Sequence, residues 1–253
     1  MSERNKAFSI LGLPVHVMTN YPNWLLERLQ QGMGTHVVTL NAEMTMQAER
    51  NSALAKVIQD AELVIPDGAG VVLYLQWLLR QNVQRIPGIE LAETLLLELG
   101  KRNSDAKVFF YGGAPGVAAK ASEFWISKIP NLNLVGTHSG FHSKEEEEKL
   151  RQTLTQLQPQ LIFVGLGVPR QELWITQNRH LCPNAVWIGV GGSFDIWSGL
   201  KTRAPAWLGN NNLEWLYRLY QEPWRWRRML ALPEFAIKAF VYRFFHSQVG
   251  VSS

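Results

Sequence analysis

A parallel α/β sheet covered by helices on both faces is the fold class that the 253-residue sequence predicts, and two of its features lead there. Short apolar runs of strand length alternate with stretches of helical periodicity, the pattern of strands buried on both sides. Glycines and polar residues collect just after those runs, where such sheets open toward ligands. The reading is a Rossmann-like, doubly wound domain.

The elements follow in order. Val37-Val38-Thr39-Leu40 reads as a strand and 43–60 as a helix. A short buried strand at 63–65 ends on Pro66-Asp67-Gly68, and an apolar helix covers 70–79. An amphipathic helix over 89–102 leads to a strand at 107–111, which stops at Gly112-Gly113-Ala114-Pro115-Gly116. Helix 117–128 and strand 132–136 come next, and Ser143 is placed to cap a helix with acids across its first turn. Strands at 161–164 and 185–190 enclose a helix at 171–178. Beyond, 212–220 and 233–245 read as amphipathic helices, with Pro223 and Pro233 interrupting anything longer. The organisation is an α/β domain over 1–195 and a helical appendage over 196–253.

Hydrophobic residues make up 46% of the chain and charged residues 18%, which suits a packed core and not disorder. The net charge of +4 is unevenly placed: residues 196–253 hold eight Lys or Arg against three acids, and five of the ten Trp. Basic side chains among indoles suit an anionic lipid surface or a phosphorylated ligand. Helices packing on the core or on a second subunit would carry similar apolar faces. No apolar run reaches the ~18 residues of a transmembrane helix, and no signal-peptide core follows the polar start. The chain is therefore expected in the cytoplasm, peripheral on the inner face of the membrane.

Cys182 is alone, so an intrachain disulfide and a Cys-rich metal site are excluded, and it reads as a partly buried, unreactive thiol. The six histidines lack zinc-site spacing, and no Asp-x-Asp offers ligands to a diphosphate-bound metal. No metal and no cofactor are expected.

The chemistry is read from the strand ends. Asp67, between an apolar strand and an apolar helix, can be desolvated enough to serve as a general base, or can simply cap a turn or helix. Gly112 and Gly113 open a turn whose N–H groups can hold a phosphate, though the turn is neither a dinucleotide fingerprint nor a P-loop. Gln171 can hydrogen-bond a base or sugar, while Arg170 and Glu172 fit a solvated helix start equally well. Asp195 can bind a hydroxyl or cap a turn, and Arg85 can pair with phosphate or lie on the surface.

Six motifs in order resemble those of the WecG/TagA/CpsF glycosyltransferases over nearly the whole chain. They are Thr39-Leu40-Asn41-Ala42-Glu43, Ile65-Pro66-Asp67-Gly68-Ala69-Gly70, Arg85-Ile86-Pro87-Gly88, Phe110-Tyr111-Gly112-Gly113, the segment 164–172 and the segment 189–195. Arg203-Ala204-Pro205, the segment 213–219 and Glu222-Pro223 extend the resemblance into the tail. It implies an inverting, metal-independent transfer from a UDP-sugar donor, often an N-acetylmannosamine, to a polyprenyl-diphosphate-linked N-acetylglucosamine acceptor. It further implies Asp67 as base with Thr39 beside it at the catalytic centre. Asn41, Arg85, Gln171 and Asp195 match pocket positions, and Arg218, Arg225 and Arg228 match arginines thought to complete the site over the acceptor diphosphate. Self-association is implied as well.

Two other classes fit the fold: an NAD-dependent oxidoreductase, and a non-catalytic module binding a nucleotide or lipid at the membrane. The first lacks the right glycine turn and an acid at the following strand end. The second would not need Asp67. No motif for reading nucleic acid is present, and none is expected as a partner.

Overall fold

The computed structural model describes residues 6–205, 207–208 and 213–245; residues 1–5, Asn212 at the expected start of a tail helix, and His246 lie outside them. The described chain opens on an antiparallel hairpin, β1 (Lys6–Ile10) and β2 (Leu13–Val17). It is invisible to a search for apolar runs, because β1 exposes most of its residues. Its two-residue turn, Leu11-Gly12, has both φ angles positive (50° and 82°), as the twist of a tight hairpin requires.

Six parallel strands form the central sheet: β3 (Thr35–Leu40), β4 (Leu63–Pro66), β5 (Val108–Gly112), β6 (Leu134–His138), β7 (Leu161–Gly165) and β8 (Val186–Gly189). Their spatial order is β4-β3-β8-β7-β5-β6. Successive side chains alternate between faces. Val37, Ile65, Phe110, Phe163 and Ile188 share one core cluster. Their neighbours Val38, Leu40 and Val64 enter a second, and Phe109, Tyr111, Val164 and Trp187 a third. Both faces are thus dry, which is why the strands read as continuous apolar runs.

One face is covered by α1 (Tyr21–Gln30), α5 (Gly88–Lys101), α6 (Val117–Lys128) and α9 (Ser193–Trp197). The other is covered by α2 (Ala42–Arg50), α3 (Ser52–Asp60), α4 (Ala69–Leu79), α7 (Lys144–Leu157) and α8 (Arg170–Asn178). Ser143 caps α7 and Glu146 returns the bond at 2.7 Å, a reciprocal pair that satisfies two helix-end donors. Where one helix is expected over 43–60, there are two. Asn51 leaves helical geometry (φ −136°, ψ 95°), and its side chain accepts from the Leu54 N–H at 3.1 Å to begin α3. Cys182 is buried beneath α7, and burial pushes its thiol up to about 11, so it is held in its inert form.

The tail contains α10 (Glu214–Gln221), a 3₁₀ turn opened by Pro223, α11 (Trp226–Met229) and α12 (Ala231–Phe245). Pro233, expected to interrupt a helix, does not. It is the third residue of α12, inside the first turn, where its missing N–H would have had no intrahelical partner. Phe235 and Ala239 are buried against α2 and α4, while Phe240, Phe244 and Phe245 face outward. Among the described residues no helix is long and apolar enough to cross a membrane.

The start of β3 depends on one close approach. A Cβ on Gly34 would collide with the Pro183 carbonyl oxygen in the segment leading to β8. That obstacle is backbone and cannot rotate away. Gly34→Ala is expected to cost about 1–3 kcal/mol, seen as a lower urea midpoint with an unchanged m-value.

Candidate active site

The strand order brings four C-terminal ends, those of β4, β3, β8 and β7, to one cavity of about 510 Å³. Thr39 and Asn41 line it from the end of β3, and Asp67 from the end of β4. Gly167 and Gln171 follow β7, and Gly189 to Ser193 close β8. The opposite wall comes from the tail, with Lys201, Arg218, Arg225 and Arg228 among the lining residues.

Glycines let the loops close on one another. A Cβ on Gly68 would stand 2.7 Å from Asn41 Cβ, and one on Gly88 would stand 3.0 Å from Thr39 Cγ2. Asn41 Oδ1 accepts from the Met44 N–H at 2.9 Å, so the residue that lines the cavity also caps α2. Asp67 does not cap α4, whose N-cap is Gly68 and has no side-chain cap. Its backbone N–H donates to the Leu40 carbonyl at 3.0 Å, and the Gly88 N–H reaches its carboxylate. Loss of water pushes the Asp67 carboxyl up to about 6, against the pull of Arg218 and Arg85; Glu214 adds to the rise. A carboxylate in that range takes and returns protons near neutral pH.

Every tail cation at the cavity meets an acid. Arg218 pairs with Glu214 at 3.1 Å, and Arg85 pairs with the same carboxylate. Burial would raise Glu214, but Arg218 and Arg85 hold it below its ordinary value. Arg225 pairs with Glu222 at 2.8 Å, and Arg228 Nε with Glu43 Oε1 at 2.9 Å. Lys201 bridges Asp195 at 2.7 Å and Glu222 at 2.9 Å. A set of guanidiniums across from a desolvated carboxylate can hold a diphosphate beside a group that removes a proton.

The geometry gathers Asp67, Thr39, Asn41, Gln171, Arg218, Arg225 and Arg228 around the cavity. Arg85 stands behind that wall on Glu214, and Asp195 behind Lys201. Gly112 and Gly113 are not among the lining residues. They lie at the end of β5, one strand beyond β7, about 5 Å along the sheet. The Gly113 N–H, a candidate phosphate donor, already donates to the Gly165 carbonyl at 3.0 Å. Three cavity residues, Glu43, Glu214 and Glu222, escape a search for anion-binding groups because acids signal the wrong charge. Glu214 and Glu222 sit within four positions of Arg218 and Arg225, but Glu43 meets Arg228 from 185 positions away, and all three fall within the motifs that carry the family resemblance. Among the described residues no three His, Cys, Asp or Glu side chains gather as a metal ligand set. His142 instead meets the Tyr111 hydroxyl at 2.7 Å.

A family model described as the glycosyl transferase WecG/TagA/CpsF family matches residues 8–249. Two similar proteins carry the name N-acetylglucosaminyldiphosphoundecaprenol N-acetyl-beta-D-mannosaminyltransferase. The one from Bacillus spizizenii is 36% identical over 220 residues, covering 87% of this chain and 81% of that protein. The one from Bacillus subtilis is 34% identical over 225 residues, covering 87% and 85%. With a match that spans nearly its whole length, and strand ends that converge on one carboxylate, this chain is a glycosyltransferase and belongs to the WecG/TagA/CpsF family.

Proposed function

We propose that the enzyme transfers an N-acetylmannosamine-type hexose from a UDP-sugar to an N-acetylglucosamine carried on a polyprenyl diphosphate, with inversion at the transferred carbon. The names of the two Bacillus relatives support the acceptor and the sugar. The observation that carries the reading is Asp67, a cavity-lining carboxylate pushed up to about 6 and flanked by Arg85 and Arg218. Asp67 takes the proton of the acceptor hydroxyl as its oxygen bonds to the sugar carbon. The bond from that carbon to the diphosphate oxygen breaks, and UDP leaves with the electron pair. Thr39 and Asn41 line the approach to Asp67, and Gln171 supports the donor side. Arg218, Arg225 and Arg228 leave their carboxylates for diphosphate oxygens.

The appendage meets the lipid end of the acceptor. Tyr220, Trp224, Phe244 and Phe245 are each more than two-thirds exposed or nearly so, at 81%, 71%, 66% and 82%. Arg227 lies over the Trp226 ring, and Arg243 over Trp77 of α4. Large apolar rings edged by guanidiniums suit an anionic bilayer surface.

Asp67→Asn is expected to lower kcat by about 10²–10⁴-fold in a UDP-release assay with a UDP-N-acetylhexosamine panel and a lipid-diphosphate N-acetylglucosamine analogue. Unchanged turnover would remove Asp67 from the mechanism. The same variant is expected to be more stable at neutral pH. A carboxyl raised from 3.8 to about 6 binds its proton more tightly in the folded state. Its contribution is whole below 3.8 and lost as pH rises through about 6, leaving a cost of about 3 kcal/mol at most at pH 7.5. Asparagine carries no such cost, so thermal melting should favour it at pH 7.5 and show the gap closing toward pH 4.

As the base works ionised, kcat/KM should fall tenfold per pH unit below about 6 and level off above it. A profile flat down to pH 4.5 would contradict this role.

Replacing Tyr220, Trp224, Phe244 and Phe245 together by serine should abolish sedimentation with anionic liposomes while leaving the circular dichroism spectrum intact. Undiminished sedimentation would put the lipid-facing surface elsewhere.

A further inference from the structure

A buried polar chain runs on from Gln171 behind the cavity wall, and the transfer step above uses none of its further members. Gln171, 2% exposed, turns its amide oxygen onto two backbone N–H groups, that of Gly167 at 3.2 Å and that of Gly191 at 3.1 Å. These belong to different loops, one after β7 and one after β8, and both line the cavity. The Gln171 amide nitrogen donates to Glu172 Oε1 at 2.9 Å. Glu172 Oε2 meets His36 Nε2, on β3, at 2.7 Å. Glu172 and His36 are 0% and 1% exposed, so the pair lies out of bulk solvent. The backbone N–H of His36 donates in turn to Glu62, which Arg179 holds at 2.7 Å.

Each link constrains the next. A primary amide can turn over, exchanging its oxygen and nitrogen. In one orientation Gln171 satisfies two glycine donors; in the other its NH₂ faces them, and both lose the acceptor that ties their loops together. Glu172 Oε1 takes a hydrogen bond from the Gln171 amide nitrogen, and this contact selects the first orientation. Glu172 itself can stay buried because its second oxygen is met by His36 Nε2. Space is made for the pair by Gly189, where a Cβ would collide with Gln171 Nε2 and leave Glu172 Oε1 too close.

We propose that Glu172, held by His36, is a positioning residue for the donor nucleotide: it orients the Gln171 amide and so fixes the spacing of the Gly167 and Gly191 loops against which a nucleoside diphosphate binds. The loop-fixing part stands on the geometry alone; the nucleotide part rests on the UDP-sugar reading above.

A reciprocal exchange tests it in the full-length chain. Gln171→Glu puts two carboxylates together in a dry site. Glu172→Gln removes the acceptor that orients the first amide. The double variant Gln171→Glu/Glu172→Gln restores every bond with one reversed: the carboxylate at 171 accepts from both glycines and from the amide at 172, whose oxygen accepts from His36. Two readouts apply, amide exchange at Gly167 and Gly191 and calorimetric titration with UDP, both at a temperature where all variants are folded. Each single variant is expected to speed exchange at those two glycines by about tenfold or more and to weaken UDP by a similar factor. The double variant should return both to within about threefold of wild type. If Gln171→Glu fails to fold, Glu172→Gln and the double variant make the same comparison.

Unchanged exchange at the two glycines overturns the relay. Faster exchange with unchanged UDP affinity overturns the positioning role, as does a double variant that regains melting temperature but not affinity. A wild-type chain that binds no UDP overturns the donor reading and the nucleotide half of this proposal, while glycine exchange still decides the loop-fixing half.

Discussion

Around Asp67 two influences oppose each other. Removal from water favours the protonated carboxyl, and the charges of Arg218 and Arg85 favour the ionised one. Burial alone would leave the group protonated at neutral pH and unable to accept. The arginines alone would leave a carboxylate too weakly basic to take a hydroxyl proton. Glu214 tempers the second influence, since it pairs with both arginines and raises Asp67. Three loops from β3, β4 and the segment before α5 fix this geometry, and they close because Gly68 and Gly88 carry no side chain against Asn41 and Thr39.

The tail completes the site through two kinds of attachment of unequal strength. Phe235 and Ala239 of α12 are buried in the core cluster shared with α2 and α4, a contact of the kind that resists water and salt. By contrast, α10 and α11 bury no residue and reach the core through ion pairs such as Arg228 with Glu43. The more exposed of these pairs contribute little each and weaken with ionic strength, whereas Arg85 with Glu214, the tie to α10, is largely out of solvent. The segment bearing the arginines is therefore held mainly by polar ties, while α12 anchors it by apolar burial.

The sheet was legible in the sequence because both faces of its inner strands are buried, so that most of its strands contain apolar runs; the hairpin over β1 and β2 was not, because its outer residues are wet. The break at Asn51 is carried by one side chain that caps α3, and helical periodicity alone does not register it. In the site, Asp67 and Asn41 could be found because a polar residue at the end of a buried strand has few reasons to be there. Gly112 and Gly113 have the same local signature but sit on β5, and only the strand order separates them from the cavity. Glu172 is the converse case. From its place at the start of α8 it fits a solvated acid, yet it is fully buried, because its partner His36 lies 136 positions away in sequence.

The acids at the cavity also bear on what the arginines can select. In the structure Arg218, Arg225 and Arg228 each face a carboxylate of their own chain. An entering anion thus exchanges one charge-assisted pair for another, and the gain is the difference between the two. A ligand with a single negative charge offers each arginine no more than the carboxylate already there. A diphosphate brings two adjacent charged groups to guanidiniums that separate carboxylates now hold, so it gains where a monoanion does not. Glu43, Glu214 and Glu222 on this argument do not weaken the site. Under the proposed function, they set the charge density a ligand must carry before the tail arginines turn toward it.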